Sequence, residues 1–473
     1  MNKSNELLEG PVLGSLLKLA GPIVLVNMLQ AAYQLVDAFW VGRLGGAAVA
    51  AVSVSTPVVF LSMALGMGFA MAGSILIAQY YGAGNMKNVS HIAAQTLLLV
   101  AVLSVTLGIV GWLLSPFFLS LLNVSSDVYD GALGFLRVSF IGLAFNFSFF
   151  VFQSIMRGIG QVTIPVYIVL GTVILNFLID PILIFGYGPF QAHGVMGAAL
   201  ATLSTQIVAC GLGYMILFRG KHGVKLQLSD FKPDFKHIKR AFNLGFPASI
   251  EQSMRALGIM LLTFLIAAFG TVTVAIYGAA SNILQVVLIL GIGFSMAIST
   301  VVGQNIGAGN IERASQVAFV GARVSFAVLS TLGIIVWFTA PHLVEFFVPD
   351  DPAIIKGGTH FLRIMCLSWG FLGLQLSFTG VFRAAGSTLT AMILTLISQW
   401  VLQFPLAYVL SHNTTLGVDG IWWAFPISNV AISLITIAVF AKGHWKKQRL
   451  TDEEVHLSSR VAVESTGDDG VLR

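Results

Sequence analysis

The sequence predicts an all-α membrane protein in which twelve transmembrane helices form two pseudo-symmetric six-helix bundles around a central cleft. Three observations carry this expectation: the composition, a regular run of apolar windows, and an internal repeat. Hydrophobic residues make up 56% of the 473-residue chain and charged residues only 10%, with a mean hydropathy of +0.89, which excludes an ordinary soluble domain. The net charge of +5 does not point to nucleic acid, because the bases sit in loops between apolar segments rather than along one polar stripe interleaved with aromatics. Cys210 and Cys366 both lie inside apolar stretches and read as helix-packing residues, with no disulfide or metal role.

A helix that crosses the hydrocarbon needs about 20 mostly apolar residues. Windows of that kind fall near 15–39, 47–74, 92–116, 131–156, 163–186 and 195–217, then near 241–268, 274–301, 316–339, 359–382, 388–410 and 419–441. They divide the chain into an N-terminal lobe (1–218), a basic linker (219–240), a C-terminal lobe (241–442) and a polar tail (443–473). Acids precede the first apolar run and no small-residue cleavage site follows it, so the first helix reads as a retained span rather than a signal peptide. The linker holds Arg219, Lys221, Lys225, Lys232, Lys236, Lys239 and Arg240, and the positive-inside rule places it in the cytoplasm together with both termini. Lys442, Lys446, Lys447 and Arg449 after the last span agree, while the connectors of the other side carry Asp127, Asp130, Asp350, Asp351 and Asp419. Beyond about residue 450 the composition predicts a flexible tail.

The repeat is specific. GMGFAMAGSILIAQYYGAGN at 66–85 matches GIGFSMAISTVVGQNIGAGN at 291–310, aligning Gly66, Gly68, Gln79, Gly82, Gly84 and Asn85 with Gly291, Gly293, Gln304, Gly307, Gly309 and Asn310. The same register takes Pro22 to Pro247 and Gly45 to Gly270, and a shift of one more residue takes Arg157 and Gly160 to Arg383 and Gly386. Six spans per half give both halves the same orientation, related by an axis along the membrane normal, which is a geometry suited to alternating access across a cleft.

Polar residues inside the spans are the site candidates, because a buried carboxylate costs several kcal/mol. In the first span Asn27, Gln30, Gln34 and Asp37 recur at spacings of three, four and three on one face, and Tyr33 sits one turn before Asp37, within reach to donate a hydrogen bond to it. In the fifth, Thr172, Asn176 and Asp180 recur every fourth residue, and the sixth carries Thr202, Thr205 and Gln206. Two carboxylates in a low-dielectric bundle cannot both stay ionised unless a cation lies between them, so Asp37 and Asp180 form either a proton-sharing pair, an oxygen-ligand site for sodium, or a hydrogen-bonded helix brace. By the repeat, Asp37 aligns with Leu262 and Asp180-Pro181 with Phe404-Pro405, so the second half lacks both acids. Pro22 and Pro181 remove helical hydrogen bonds beside these residues and mark either moving hinges or packing kinks. In the second half Glu251 stands four residues before Arg255, a spacing that allows an ion pair, so Glu251, Arg255 and Gln285 form either a second coupling or substrate site or, for the first two, a structural ion pair, and Gln285, Gln399 and Gln403 are cleft candidates. Arg157 and Arg383 close the fourth and tenth spans, in a gating or a capping role.

Taken in order, Pro22, Tyr33-x-x-x-Asp37 leading into FWVGRLG, the paired GAGN turns, Arg157 to Gly160, and the NFLIDP of Asn176 to Pro181 make the chain resemble the multidrug and toxic compound extrusion (MATE) family, over about residues 10–442. The resemblance implies a bacterial inner-membrane antiporter, without cofactor or ATP and acting as a monomer, that expels small amphipathic, often cationic compounds in exchange for H+ or Na+. It further implies that Asp37, Asn176, Asp180 and Thr202 are the cation cluster of the DinF-type branch and that the first helix bends at Pro22. In the NorM-type branch a glutamate matching Glu251 works with an aspartate in the tenth helix, where this chain has Leu372. A lipid or lipid-precursor flippase of the same superfamily is the nearest alternative, and it would need a cationic cavity. A prenyltransferase-like enzyme is a poorer fit, since Asn176-x-x-x-Asp180 has no second acidic motif to complete a magnesium-diphosphate site. Walker motifs are absent.

Overall fold

The computed structural model describes residues 7–349 and 351–451. Asp350 and the predicted flexible tail after residue 451 lie outside the described residues. Among the described residues eleven helices are long and apolar enough to cross a membrane, and a bent pair, α10, makes a twelfth span: α1 (Val12–Gly42), α2 (Gly46–Gly82), α3 (Met86–Leu121), α4 (Ser126–Gly158), α5 (Thr163–Gly186), α6 (Val195–Arg219), α7 (Phe235–Ala267), α8 (Thr271–Gly307), α9 (Ile311–Phe347), α10 (Pro352–Cys366 and Trp369–Ala384), α11 (Thr388–His412) and α12 (Val418–Ala441). Among the described residues every regular element is helical. Long apolar side chains such as Val102, Ile109, Leu113 and Phe117 on α3 are exposed, as a helix in contact with acyl chains requires.

Each lobe has its own core, yet the first helix of each crosses to the other. Leu16, Leu19, Ala20 and Ile23 of α1 are buried with Ile298, Val301, Val317 and Phe378 of the second lobe. Val26, one turn further, joins the core of the first. The helix is continuous through Pro22, and the proline lies where α1 passes from the second lobe's core to the first's. Reciprocally, Ala241 and Leu244 at the start of α7 are buried in the first lobe's core.

The GAGN repeat builds a twofold lock on the face that carries the linker. Gln79 of α2 donates to the carbonyl of Ala384 at 2.7 Å, and Gln304 of α8 donates to the carbonyl of Gly158 at 2.8 Å. Both glutamines are fully buried, where a partner is obligatory. Gly82 packs so closely on the Gln304 carbonyl that a Cβ would stand 1.9 Å from its oxygen, and Gly307 meets the Gln79 carbonyl at the same 1.9 Å. Gly84 and Gly309 then turn the chain at φ +75 and +80, left-handed values that favour glycine. Asn85 and Asn310 cap α3 and α9 by accepting from the amides of Asn88 and Arg313.

Three departures from the expected elements have local causes. Helix α7 begins at Phe235, six residues before the expected 241, because Asp234 caps it by accepting from the amides of Lys236 and His237. The Asp234 carboxyl is held down at about 2, chiefly by the hydrogen bond from the His237 ring. Helix α10 bends by 51° between Cys366 and Trp369, with Ser368 at the break donating to the Met365 carbonyl and accepting from Asn429 of α12 at 3.0 Å. Helices α5 and α11 each widen into a π-helical stretch, Ile182–Gly186 directly after Pro181 and Ile397–Gln403 directly before Phe404-Pro405.

Candidate cation site

The polar residues of α1, α5 and α6 meet in the first lobe, near the end of α1 away from the linker. Thr202 of α6 donates to Asp37 Oδ2 at 3.3 Å. Asn176 of α5 donates to Asp180 Oδ1 at 3.1 Å, one turn along the same helix, and both are fully buried. Asp180 and Asn176 stand beside Asp37, so side chains from three helices converge on one spot. Asp37 Oδ1, Asn176 Oδ1 and Asp180 Oδ2 are buried without a hydrogen-bond partner among the described residues. Buried oxygens without donors are costly. A proton or a hard cation among them would satisfy what the helices leave open, and carboxylate, amide and hydroxyl oxygens suit sodium as well as a shared proton.

The cluster opens on a cavity of about 460 Å³ enclosed by α1, α2, α4 and α6. Gln34, Asp37, Asn146, Thr202 and Gln206 give it polar points, and Val52, Phe60, Met63 and Phe135 are among its apolar walls. No Lys or Arg lines it. The cavity thus lies inside the first bundle rather than between the two.

The remaining candidates separate. Gln34 lines this cavity, whereas Asn27 lines a small recess with Gln153 and Arg157 at the other end of α1, with the partly buried Gln30 between them. Thr172 is buried and returns its hydroxyl to the carbonyl of Val169, so it is a bystander on the α5 face. Tyr33 does not donate to Asp37. Its hydroxyl pairs with Thr205 Oγ1 at 2.5 Å, and because Thr205 gives its own proton to the Thr202 carbonyl, Tyr33 is the donor. Glu251 is buried in the second lobe, where Arg383 of α10, Arg255 at 3.3 Å and Thr395 of α11 at 3.0 Å all donate to its Oε1. Arg383 is thus held by Glu251, and no spacing rule links it to a glutamate 132 positions away. Gln399 donates to the Arg255 carbonyl at 3.2 Å, and Gln285 is exposed on α8. Asn146 and Ser139, polar residues of the fourth span at the cavity wall, are not singled out by composition alone.

The MatE family profile matches residues 22–182 and 247–409, one stretch in each lobe. The chain is 28% identical over 436 residues to a Bacillus subtilis protein named "Probable multidrug resistance protein YoeA", covering 91% of this chain and 93% of that one. It is 26% identical to a protein of Shewanella oneidensis named FAD transporter, covering 92% and 95% of the two chains. Among solved structures, the outward-facing conformation of a multidrug resistance MATE family transporter shares the fold with a TM-score of 0.88 at 24% identity, over 95% of this chain and 100% of that one.

Proposed function

Because the chain belongs to the MatE family of multidrug efflux transporters and is not an enzyme, we propose that it is a secondary antiporter that exports small organic, often cationic or amphipathic compounds in exchange for H+ or Na+. The observation that carries this reading is the buried Asp37, Asn176, Asp180 and Thr202 group, with its unpartnered oxygens, beside a largely apolar cavity large enough for a small organic molecule. Cation and substrate would compete across the shared Asp37 and Thr202 wall, so loading one disfavours the other. In this reading the linker face is cytoplasmic, the protein sits in a bacterial plasma membrane, the two lobes rock as units 1–218 and 241–442, and neither ATP nor a cofactor takes part.

The energetics suffice for one coupling ion. One charge moving down 100 mV releases about 2.3 kcal/mol. One unit of pH difference adds about 1.4 kcal/mol. Together they support a substrate gradient of several hundredfold, and a singly cationic substrate exchanged one for one draws only on the chemical part. A flippase for an anionic lipid precursor fits less well, since the cavity has no basic wall and Arg255 and Arg383 are both occupied by Glu251.

The test is transport of a fluorescent cationic dye into everted vesicles, measured with and without sodium at fixed pH. Uptake should collapse when the coupling-ion gradient is dissipated, and the sodium dependence identifies the ion. Uptake that survives loss of both the proton and the sodium gradient would sink the antiport reading.

A further inference from the structure

On the linker face a second group of ligand-type side chains takes no part in the cation site. His91 of α3, Asp234 ahead of α7 and His237 in the first turn of α7 bring one donor atom each to within 4.8 Å of one another. Asp234 divides its oxygens: Oδ1 caps α7, while Oδ2 lies 3.3 Å from His91 Nε2 and 2.8 Å from His237 Nδ1. The two rings meet edge to face at 5.2 Å, so their nitrogens converge on the carboxylate rather than stack.

The surroundings hold these donors in place. Gln95, one turn beyond His91 on α3 and almost wholly buried, donates to the carbonyls of Asp230 and Lys232 at 2.6 and 2.8 Å and accepts from the Asp234 amide at 2.9 Å. One side chain of the first lobe thereby fixes the loop that presents Asp234. Asp230 Oδ1 lies 4.0 Å from His91 Nδ1, on the side of the ring away from Asp234, where a small closure would let a carboxylate orient the imidazole.

We propose that His91, Asp234 and His237 form a binding site for a divalent transition-metal ion of the Zn2+ type, which would clip α3 of the first lobe to α7 of the second. Two imidazoles and one carboxylate suit zinc and its neighbours and disfavour magnesium and calcium, which take oxygen ligands. Zinc bonds of about 2.0–2.1 Å in a tetrahedron put donors about 3.3 Å apart. The His91 and Asp234 atoms already stand at that spacing, His237 Nδ1 lies 2.8 Å from the same carboxylate oxygen, and the three donors lie within 4.8 Å of one another, so a small shift of the rings completes the geometry. Water fills the fourth position. Lys232 and Lys236 in the same turn oppose a cation, so the site binds more weakly than a closed four-ligand zinc site.

The experiment is isothermal titration of the purified full chain, free of any histidine tag, with Zn2+ alone in a phosphate-free buffer. One ion per chain should bind, and a Co2+ titration should give the visible absorption of a four-coordinate ion with nitrogen ligands. Asp234→Asn keeps the helix cap but loses the anionic ligand, so it serves if the double variant His91→Ala/His237→Ala fails to fold. Both should abolish the cobalt band and lower zinc affinity at least 100-fold, whereas Gln95→Ala should lower it by about 10–100-fold. Wild-type affinity no higher than that of Asp234→Asn, or a cobalt spectrum unchanged from that of the aqueous ion, would overturn the proposal.

Discussion

The two lobes bury ionisable groups on equivalent helices, and they do so with opposite chemistry. In the first, Asp37 and Asp180 come together with no base in contact, and three oxygens of the cluster remain without donors. In the second, Glu251 receives two guanidiniums and a hydroxyl on a single oxygen. The repeat shows that the scaffold itself asks for neither arrangement, since Val26 occupies the place of Glu251 and Leu262 that of Asp37. An acid saturated by fixed cations has little room to change its occupancy, while an acid pair without them must take up a mobile one. Under the proposed function, the first lobe would exchange an ion while the second holds its charges still.

Asp37→Asn and Glu251→Gln should separate the two lobes most widely. Asparagine at 37 removes the charge that needs a cation, so dye transport should fall by at least 100-fold while thermal unfolding of the purified protein is unchanged or shifted upward. Glutamine at 251 leaves Arg255 and Arg383 buried without their counter-charge, which costs about 3–5 kcal/mol and should appear first as lost stability. Should Asp37→Asn transport normally, or Glu251→Gln be as stable as wild type while failing to transport, the assignment of roles to lobes is reversed.

Much of this contrast was legible before the fold. A bilayer forces every span to be long, apolar and internally hydrogen-bonded, so hydropathy windows located all twelve, and the period of the helix put Asp37, Gln34, Asn176 and Asp180 on polar faces. What sequence periodicity does not carry is contact between distant helices. The pairing of Arg383 with Glu251 and the donation of Tyr33 to Thr205 rather than Asp37 both depend on how helices are rotated against one another. The bend in α10 was hidden for a different reason: Leu367-Ser368 contains neither proline nor glycine, and the break is held from outside by Asn429.

The lock between the lobes tests whether they move against each other as units. Gly82→Ala would press a methyl group onto the Gln304 carbonyl, and Gly307→Ala would do the same at Gln79, each costing about 1–3 kcal/mol of the closed linker face. Because the contacts are twofold related and mutually dependent, the double variant should lose less than the sum of the two. Labelling of a cysteine introduced beside Gln79 should rise in each variant, and labelling that stays at the wild-type level would mean this face does not open there.

The linker supplies a smaller effect with a defined sign. Asp234 is more acidic in the folded chain, at about 2, than a model aspartate at 3.8, so its contribution to stability is complete above about pH 4 and is lost as pH falls toward 2. Asp234→Ala should also remove the cap of α7 and cost about 0.5–2 kcal/mol at neutral pH, while Asp234→Asn keeps the cap and costs less. Melting curves of the three proteins at pH 7 and pH 3 check this: the gap between wild type and Asp234→Ala should narrow at the lower pH, and a gap that widens contradicts it.

Tyr33→Phe should have the smallest effect, and it separates a positioning role from a ligand role within the first lobe. The Tyr33 hydroxyl touches Thr205, which bonds to the carbonyl of Thr202, and the Thr202 side chain in turn donates to Asp37. Removing the hydroxyl costs one hydrogen bond, about 0.5–1.5 kcal/mol, and leaves every oxygen of the cation cluster in place. The half-saturating concentration of the coupling ion should therefore rise by no more than about tenfold with the maximal rate nearly preserved. Asp37→Asn, by contrast, should show no saturable ion dependence at all. If Tyr33→Phe instead abolished transport at every ion concentration, the phenol would have to take part in the ion transfer itself, and the functional unit would reach one helical turn further along α1 than the carboxylates and Thr202.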